Sequence, residues 1–305
     1  MDYLIAIVGP TATGKSHLAI RLAQDFNGEI VSADSRQIYH HMDIGTAKPD
    51  RREKSLIRHH LVDIIDLDED FSLAQYQHLA YSAIEDIQRR GRLPLLVGGS
   101  GLYIRAVLEG WQIPHVPPDR EFRSSLEEKA AAGGAGELYR ELTEVDPVAA
   151  GKIDRRNVRR LIRALEVSRQ ADTPFSRLRD REPPPFKIMV IGLTADRSEL
   201  YRRIDSRVDH MIEQGLVGEV KRLVEVGYDF SLPAMSGIGY RQIGLYLRGE
   251  LSLADAIQQT KFETHRFVRH QYGWFRLKDD RIHWFDITKD NEAEIKGLVA
   301  GFVTG

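Results

Sequence analysis

The sequence predicts an α/β protein: a doubly wound parallel sheet that contains a P-loop, with a helical domain inserted into the core. Three observations lead to this fold class. Short apolar segments alternate with segments of helical periodicity, which predicts parallel strands covered by helices on both faces. A glycine-rich loop separates the first strand from the first helix, and a strand-poor stretch between two proline clusters interrupts the pattern.

The strands are predicted from short apolar runs. They are residues 4–10, 29–34, 92–103 (where the strand breaks into a glycine-rich turn), 186–195 and 281–288. The first helix follows Lys15, and its apolar face is formed by Leu18, Ala19, Leu22, Ala23 and Phe26. Asn27 and Gly28 are expected to end that helix.

The helical insertion domain is predicted over residues 116–185, which leaves residues 1–115 and 186–305 as the core domain. This stretch is rich in Arg, Glu, Ala and Leu and contains no convincing strand. Proline clusters at 114–119 and 181–186 bracket it, and such clusters stiffen the chain at boundaries.

The composition excludes several classes of protein. The 305 residues are 42% hydrophobic and 29% charged, as in ordinary globular proteins. No apolar run approaches the roughly 20 residues that span a bilayer, and the N-terminus lacks a signal-peptide pattern, so we expect no membrane association. The absence of cysteine excludes disulfides and cysteine-ligated metals and favours the cytoplasm. With a net charge of −2, a polyanion must be bound by a local cluster.

The glycine-rich loop reads GPTATGKS and fits the phosphate-loop pattern G-x-x-x-x-G-K-S. The strand before it and the helix after it are the context in which this motif is credible. Its backbone N–H groups can converge on phosphate oxygens, Lys15 adds a mobile cation, and the Ser16 hydroxyl can bind Mg²⁺. The predicted phosphate site is Gly9, Pro10, Thr11, Ala12, Thr13, Gly14, Lys15 and Ser16.

The phosphate loop alone does not identify the ligand that carries the phosphate. A GTPase needs a guanine-reading N-K-x-D segment, which is absent. An ATPase usually carries an aspartate at the end of a neighbouring strand, but the best later strand ends in Gly98, Gly99 and Ser100. Residues 61–68 contain three acids, Asp63, Asp66 and Asp68, which suit a solvated edge or loop better. A small-molecule kinase remains possible.

Asp34 lies at the predicted end of the second strand. The carboxyl ends of strands in an open α/β sheet converge on the ligand crevice, so Asp34 is expected to face the phosphate loop. On position alone it could instead cap the next helix or orient a Mg²⁺-bound water. Ser35, Arg36 and Gln37 follow, and they are polar and long enough to meet a second substrate.

Six segments occur in an order that resembles the tRNA dimethylallyltransferases, also called tRNA isopentenyltransferases. They read GPTATGKS, SADSRQIYHHMDIGTAKP, HHLVDI, PLLVGGSGLY, RRLIRALEV and GIGYRQ. The resemblance runs from Gly9 to about Arg276, and DIGTAKP and GGSGLY are more diagnostic than the phosphate loop. Ser16 and Ser100 stand where that family commonly has threonine, and both keep the hydroxyl.

The resemblance implies that the loop holds the diphosphate of dimethylallyl diphosphate. The five-carbon group would then move to the exocyclic amine of the adenosine immediately 3′ of the anticodon. Asp34 matches the family's general base, Ser100 its hydroxyl near the reacting centre, and Arg203 an arginine that stabilises the leaving group with Lys15 and Mg²⁺. These residues suit the reaction, because the amine must lose a proton and the diphosphate gains negative charge as it leaves. The target base must also leave its stack.

Residues 154–167 predict a surface for nucleic acid. The apolar face of this amphipathic segment is Val158, Leu161, Ile162 and Leu165. The opposite side carries Arg155, Arg156, Arg159, Arg160 and Arg163. Five arginines without an acid among them make a poor solvated surface unless a polyanion is near.

Two further segments, 236–242 and 264–276, carry arginines beside aromatic residues. Tyr240 is expected to stack on or bond to loop bases, whereas Tyr272 and Phe275 are expected in the core. The predicted contacts with the tRNA anticodon stem-loop are Asp34, Ser35, Arg36, Gln37, Ser100, Arg123, Arg155, Arg156, Arg159, Arg160, Arg163, Gly239, Tyr240, Arg241, Arg266 and Arg269. We expect a monomer.

Two other classes of function compete with the prenyltransferase. A small-molecule kinase would fill the loop with ATP, but it leaves the arginine-rich segment and the insertion unexplained. A nucleotide-gated RNA-binding regulator explains the arginines but not Asp34 beside the loop.

Overall fold

A six-stranded parallel sheet forms the centre of the larger of two units in the computed structural model, which describes residues 2–113, 116, 119–171, 175–177 and 181–305. The strands are β1 (Tyr3–Val8), β2 (Gly28–Ala33), β3 (His59–His60), β4 (Leu93–Gly98), β5 (Lys187–Thr194) and β6 (Ile282–Asp286). Their order across the sheet is β3-β2-β4-β1-β5-β6, and all neighbouring pairs are parallel.

The predicted strands are confirmed, each within a few residues of its expected bounds. β3 was not predicted, since two histidines beside a loop carry no strand periodicity. Strands β1, β2 and β4 are buried along almost their whole length, as a sheet covered on both faces requires.

The helices that the chain forms between these strands explain the burial. They are α1 (Lys15–Asp25), α2 (Arg51–Leu56), α3 (Leu73–Arg89), α4 (Gly101–Leu108), α5 (Arg120–Gly133), α6 (Ala135–Val145), α7 (Pro147–Ala150), α8 (Val158–Gln170), α9 (Arg197–Glu213), α10 (Leu216–Glu225), α11 (Tyr240–Leu247), α12 (Leu253–Trp274) and α13 (Glu292–Thr304). None of them, within the described residues, is long and apolar enough to cross a membrane.

The sheet packs against a core formed with α1 and α13. Ile7 and Leu95 of the sheet are completely buried, and Leu22 of α1 and Val299 of α13 belong to the same cluster. The predicted face of α1 is confirmed, since Ala19, Leu22 and Ala23 are buried and Leu18 and Phe26 pack against this core. A second cluster joins the chain after β2 to α10 and α11.

The smaller unit consists of residues 73–75 and 109–183. Its own core gathers apolar side chains from α5, α6, α7 and α8, including Leu126, Leu142 and Leu161. The chain enters and leaves this unit side by side: the Glu182 N–H donates to the Gly110 carbonyl at 2.9 Å, and Trp111 pairs with Arg181. The predicted boundary cluster at 114–119 lies mostly outside the described residues.

Candidate active site

A large cavity lies at the carboxyl edge of the sheet, where β1, β2 and β4 end. It is lined by the phosphate loop, Asp34 and the residues after it, the turn from Gly98 to Ser100, and parts of α9 and α12. Its volume of about 1630 Å³ exceeds the roughly 300–1,000 Å³ of ordinary small-molecule sites, so it has room for part of a larger substrate.

The phosphate loop begins where β1 meets β5. Gly9 has φ of 134°, and a Cβ at this position would lie 2.3 Å from the Leu193 carbonyl oxygen, so only glycine fits. The Pro10 carbonyl then accepts hydrogen bonds from the Thr13 hydroxyl at 2.8 Å and the Lys15 ammonium at 2.7 Å. These bonds fold the loop over the start of α1, whose N-terminus faces the cavity.

The Lys15 ammonium lies in a buried part of the cavity beside Arg207 and Asp34. The pKa of Lys15 is lowered from 10.5 to about 7, first by burial and then by the charge of Arg207, while the charge of Asp34 opposes the shift. Two cations and one carboxylate therefore share this part of the cavity. The negative charge of a diphosphate beside Lys15 would balance the positive charges of Lys15 and Arg207, which Asp34 alone offsets only in part.

Arg207 is a site residue that the sequence did not single out. Its Nη1 donates to the Thr11 hydroxyl at 3.2 Å, and burial lowers the pKa of its guanidinium while Asp34 raises it. Arg203, which was predicted as the leaving-group arginine, lies one turn earlier on α9 and also borders the cavity. Its Nε is bonded to Glu199 at 2.6 Å, so part of its charge is already neutralised. The sequence could have indicated Arg207, because it lies four residues after Arg203 and therefore on the same face of the helix.

Asp34 and Ser100 follow neighbouring strands and meet across the cavity's edge. One Asp34 oxygen accepts the Arg36 N–H at 2.8 Å within the turn that follows β2. Asp34 does not cap the next helix, because α2 begins at Arg51 and its N-cap is Asp50. The Ser100 hydroxyl accepts the Ser35 N–H at 3.0 Å and lies 3.3 Å from the Ser35 hydroxyl. The register of β2 with β4 places Ala33 opposite Gly98, which brings the two loops together.

Arg36 and Gln37 are already engaged with the protein. The Arg36 guanidinium donates to the carbonyls of Pro233 and Ala234 and to Ser236, so it anchors the turn before α11. The Gln37 amide donates to the Thr46 and Ala47 carbonyls at 3.3 and 3.1 Å. Both side chains therefore hold together the loops around the cavity, a role that the sequence analysis did not predict. Their contact with tRNA stays a prediction.

The loop DIGTAKP, which sequence reasoning could not interpret, folds around a buried carboxylate. Glu219 of α10 accepts the N–H groups of Asp43, Ile44 and Gly45, and it also accepts the Tyr240 hydroxyl at 2.5 Å. Tyr240 is 1% exposed. The expectation that Tyr240 stacks on RNA bases is therefore wrong: its ring is part of the core against Gly45.

The predicted arginine-rich surface belongs to the smaller unit. The predicted apolar face of α8 is confirmed, since Leu161, Ile162 and Leu165 are buried and Val158 packs against the core of this unit. Arg159 and Arg160 are exposed on α8, whereas Arg155 and Arg156 lie in the turn before the helix.

Some of the predicted cations in this unit are paired. Arg123 and Arg163 both bind the buried carboxylate of Glu166, at 2.7 and 2.6 Å. Arg156 binds Asp154 at 3.2 Å. The expectation of an unopposed row of five arginines is therefore wrong for Arg156 and Arg163, because acids outside the row reach them.

Helix α12 presents cations and aromatic side chains to solvent. Arg266 and Arg269 are exposed, and Arg269 donates to the Tyr201 hydroxyl at 2.8 Å. Phe267 is 41% exposed and borders the cavity, a position that the sequence pattern did not reveal.

The remaining predicted residues around α11 and α12 differ in their burial. Phe275 is buried as expected, and the Tyr272 hydroxyl pairs with Thr194. Gly239 is buried and Arg241 is exposed at the start of α11.

The oxygen ligands near the loop fit Mg²⁺ in the way such sites are usually built. The Ser16 hydroxyl and the Asp34 carboxylate both line the cavity. Within the described residues no group of three or more His, Cys, Asp or Glu could hold a metal ion. Mg²⁺ retains several waters and is commonly held by one or two protein oxygens together with substrate phosphates, so this sparse set is compatible with it.

Comparison with known proteins places the chain among tRNA-modifying enzymes. The sequence profile of the IPP transferase family matches residues 37–278. A tRNA dimethylallyltransferase of Dehalococcoides mccartyi is 51% identical over 300 residues, covering 98% of this chain and 92% of the relative. The tRNA isopentenylpyrophosphate transferase of Bacillus halodurans superposes with a TM-score of 0.73 at 40% identity, over 99% of this chain and 96% of that one. A eukaryotic dimethylallyltransferase acting on tRNA superposes with a TM-score of 0.86 at 27% identity, over 100% of this chain and 80% of that one.

Proposed function

The chain belongs to the IPP transferase family, and on that premise we propose that it transfers the dimethylallyl group of dimethylallyl diphosphate to tRNA. The acceptor is the exocyclic amine of the adenosine immediately 3′ of the anticodon. The bond between C1 of the dimethylallyl group and the ester oxygen on the α-phosphorus breaks, a bond from C1 to the amine nitrogen forms, and the amine loses one proton. Diphosphate is the second product.

The leaving group occupies the phosphate loop. Lys15 and Arg207 share the same part of the cavity, and the N-terminus of α1 faces it. Negative charge on the diphosphate grows as the C–O bond breaks, so these groups stabilise the transition state more than the ground state. When bound, Mg²⁺ supplies further charge neutralisation to the diphosphate, held through Ser16 and the substrate's own oxygens.

The acceptor amine meets Asp34. An adenine amine is a poor nucleophile, because its lone pair is delocalised into the ring, and it becomes cationic as it attacks. In this proposal the proton goes to the Asp34 oxygen that does not accept the Arg36 N–H. Ser100 is fixed by Ser35 beside this carboxylate, where its hydroxyl can orient the amine.

The tRNA is held by cations outside the cavity. Arg159 and Arg160 in the smaller unit, and Arg266 and Arg269 in the larger one, are exposed and can bind phosphates. The target adenosine must be flipped to reach Asp34 from a stacked anticodon loop. We further propose that the protein acts as a cytoplasmic monomer.

The observation that carries this proposal is the convergence of Lys15, Asp34 and Ser100 on one cavity from three neighbouring strand ends. A small-molecule kinase requires the first of these but gives no role to the exposed arginines.

One experiment separates the three candidate functions. The protein is incubated with Mg²⁺ and unmodified tRNA, in parallel with dimethylallyl diphosphate labelled in the prenyl group and with γ-labelled ATP. We expect the prenyl label to become attached to tRNA at the adenosine after the anticodon, and we expect no appreciable ATP hydrolysis. Robust ATP turnover stimulated by tRNA, without prenyl transfer, would favour a nucleotide-gated regulator.

A further inference from the structure

The side chain of Gln271 joins two loops of the active site. Gln271 lies on α12 and is 3% exposed. Its Oε1 accepts the backbone N–H of Thr11 at 2.9 Å, and its Nε2 donates to the Gly99 carbonyl at 3.1 Å. One amide therefore bonds the phosphate loop and the turn that precedes Ser100.

The two loops are not held to each other by the sheet. The pairing of β1 with β4 reaches Ile7 opposite Val97, and the chain leaves the sheet beyond this point on both strands. Thr11 and Gly99 lie past that limit. A buried amide is costly unless both its oxygen and its nitrogen are bonded, and in this bridging position Gln271 meets that requirement.

Gly99 and Thr11, the two residues that Gln271 bonds, are themselves constrained. A Cβ on Gly99 would lie 2.3 Å from the Gln271 Nε2, so only glycine allows the amide to reach the backbone. Thr11 is fixed a second time by Arg207, which donates to its hydroxyl. The Thr11 N–H is also taken by Gln271, so the diphosphate is left to the remaining N–H groups of the loop.

We propose that Gln271 is a positioning residue that sets the separation between the leaving-group loop and the acceptor turn. This inference rests on the proposed function, which places the diphosphate in one loop and the amine beside the other. Gln271 acts through Thr11 and Gly99, and it takes no part in bond making. In-line transfer depends on alignment of the reacting atoms, and a displacement of about 1 Å can cost about 10²-fold in rate.

The test uses two variants and a matched control. Gln271→Met keeps the length of the side chain and removes both hydrogen bonds. Gln271→Glu keeps the shape and the acceptor for Thr11 but places a carboxylate oxygen against the Gly99 carbonyl. Gln259→Met makes the same exchange at an exposed glutamine of the same helix.

Two quantities test the proposal and the Kd of tRNA serves as a control, all measured on protein shown to be folded by circular dichroism and thermal unfolding. The first is the single-turnover rate of prenyl transfer with both substrates saturating, and we expect a fall of about 10²-fold in both Gln271 variants. The second is the Kd of inorganic pyrophosphate with Mg²⁺, and we expect a rise of about tenfold, because a loosened loop is less well preorganised. The Kd of tRNA and both quantities in Gln259→Met should stay at the wild-type value.

A wild-type transfer rate and an unchanged pyrophosphate Kd in either folded Gln271 variant would overturn the proposal. If the wild-type protein itself transfers no prenyl group, the proposed function fails, and the pyrophosphate Kd alone then decides the role of Gln271. A lowered unfolding temperature with both quantities unchanged would assign Gln271 to stability only, which also overturns it.

Discussion

At the scale of single residues, Asp34 is the group on which the chemistry depends most. Asp34→Asn keeps an oxygen for the Arg36 N–H and removes the basic oxygen. We expect the single-turnover rate to fall by about 10²-fold or more while the Kd of dimethylallyl diphosphate stays nearly unchanged. Rapid-quench transfer assays measure the rate, with Asp290→Asn on the exposed surface as control. Transfer at the wild-type rate would remove Asp34 from the mechanism.

Arg203 and Arg207 of α9 provide a matched pair of variants for testing the leaving-group role. Arg207 contacts Thr11 of the phosphate loop, whereas Arg203, one turn away, is paired with Glu199. We expect Arg207→Gln to lower kcat/KM for dimethylallyl diphosphate by about 10²-fold and Arg203→Gln to have a clearly smaller effect. Steady-state kinetics on both variants at saturating tRNA measure this difference. A larger loss in Arg203→Gln would restore that residue as the leaving-group arginine.

At the scale of elements, α8 carries the cationic surface of the smaller unit. Arg159 and Arg160 are exposed, and the buried face of the helix does not involve them. We expect the double change Arg159→Gln, Arg160→Gln to weaken tRNA binding. The log–log salt slope should flatten by roughly 0.7 to 0.9 for each lost phosphate contact. Filter binding at several salt concentrations measures the slope. An unchanged slope in the folded variant would make this surface an ordinary solvated one.

The start of β2 is tied to its neighbours by a buried carboxylate. Glu29 is bonded by Arg90 at the end of α3, by Arg92 and by His60 of β3. The Arg90 hydrogen bond, and after it His60, lower the pKa of Glu29 from 4.5 to about 2, against burial. A carboxyl whose pKa is lower in the folded state stabilises the fold above its unfolded pKa and loses that effect as the pH falls.

Glu29→Gln should therefore lower the free energy of unfolding by about 3 kcal/mol at pH 7, because the buried carboxylate no longer offers its charge to Arg90, Arg92 and His60. The difference from the wild type should shrink as the pH falls from about 4.5 toward about 2. Denaturant titrations at pH 7, 4 and 3 measure it. A difference that stays constant with pH would show that Glu29 contributes by packing alone.

At the scale of the whole molecule, the smaller unit has its own core and adjacent entry and exit points. Replacing residues 113–180 by a short Gly-Ser linker should leave the larger unit folded. The Kd of inorganic pyrophosphate with Mg²⁺ should be unchanged, since the phosphate loop and its cations belong to that unit. Affinity for tRNA should fall, because Arg159 and Arg160 are lost. Calorimetry and filter binding test both expectations, and loss of pyrophosphate binding would contradict them.

The sequence by itself determined the order of the elements. Apolar runs mark β1, β2, β4, β5 and β6, because a strand buried on both faces must be apolar along its length. The phosphate loop and Asp34 were predictable for a local reason: each directly follows a strand, and the carboxyl ends of parallel strands meet at one edge. The apolar face of α8 follows in the same way from its helical spacing.

Only the tertiary structure decided which polar side chains are free to act. The sequence pattern predicts that Tyr240, Arg36 and Gln37 contact tRNA, but each side chain is bonded within the protein. Arg36 binds Pro233, far away in the sequence, Tyr240 binds Glu219, and Gln37 binds Ala47 of the following loop. Arg207 and Gln271 carry no distinguishing local pattern, and they become part of the site because α9 and α12 pack beside the phosphate loop. Hydrophobic periodicity is a property of neighbours in sequence, whereas the pairing of a buried charge or amide depends on which groups the packed helices bring within about 3 Å of it.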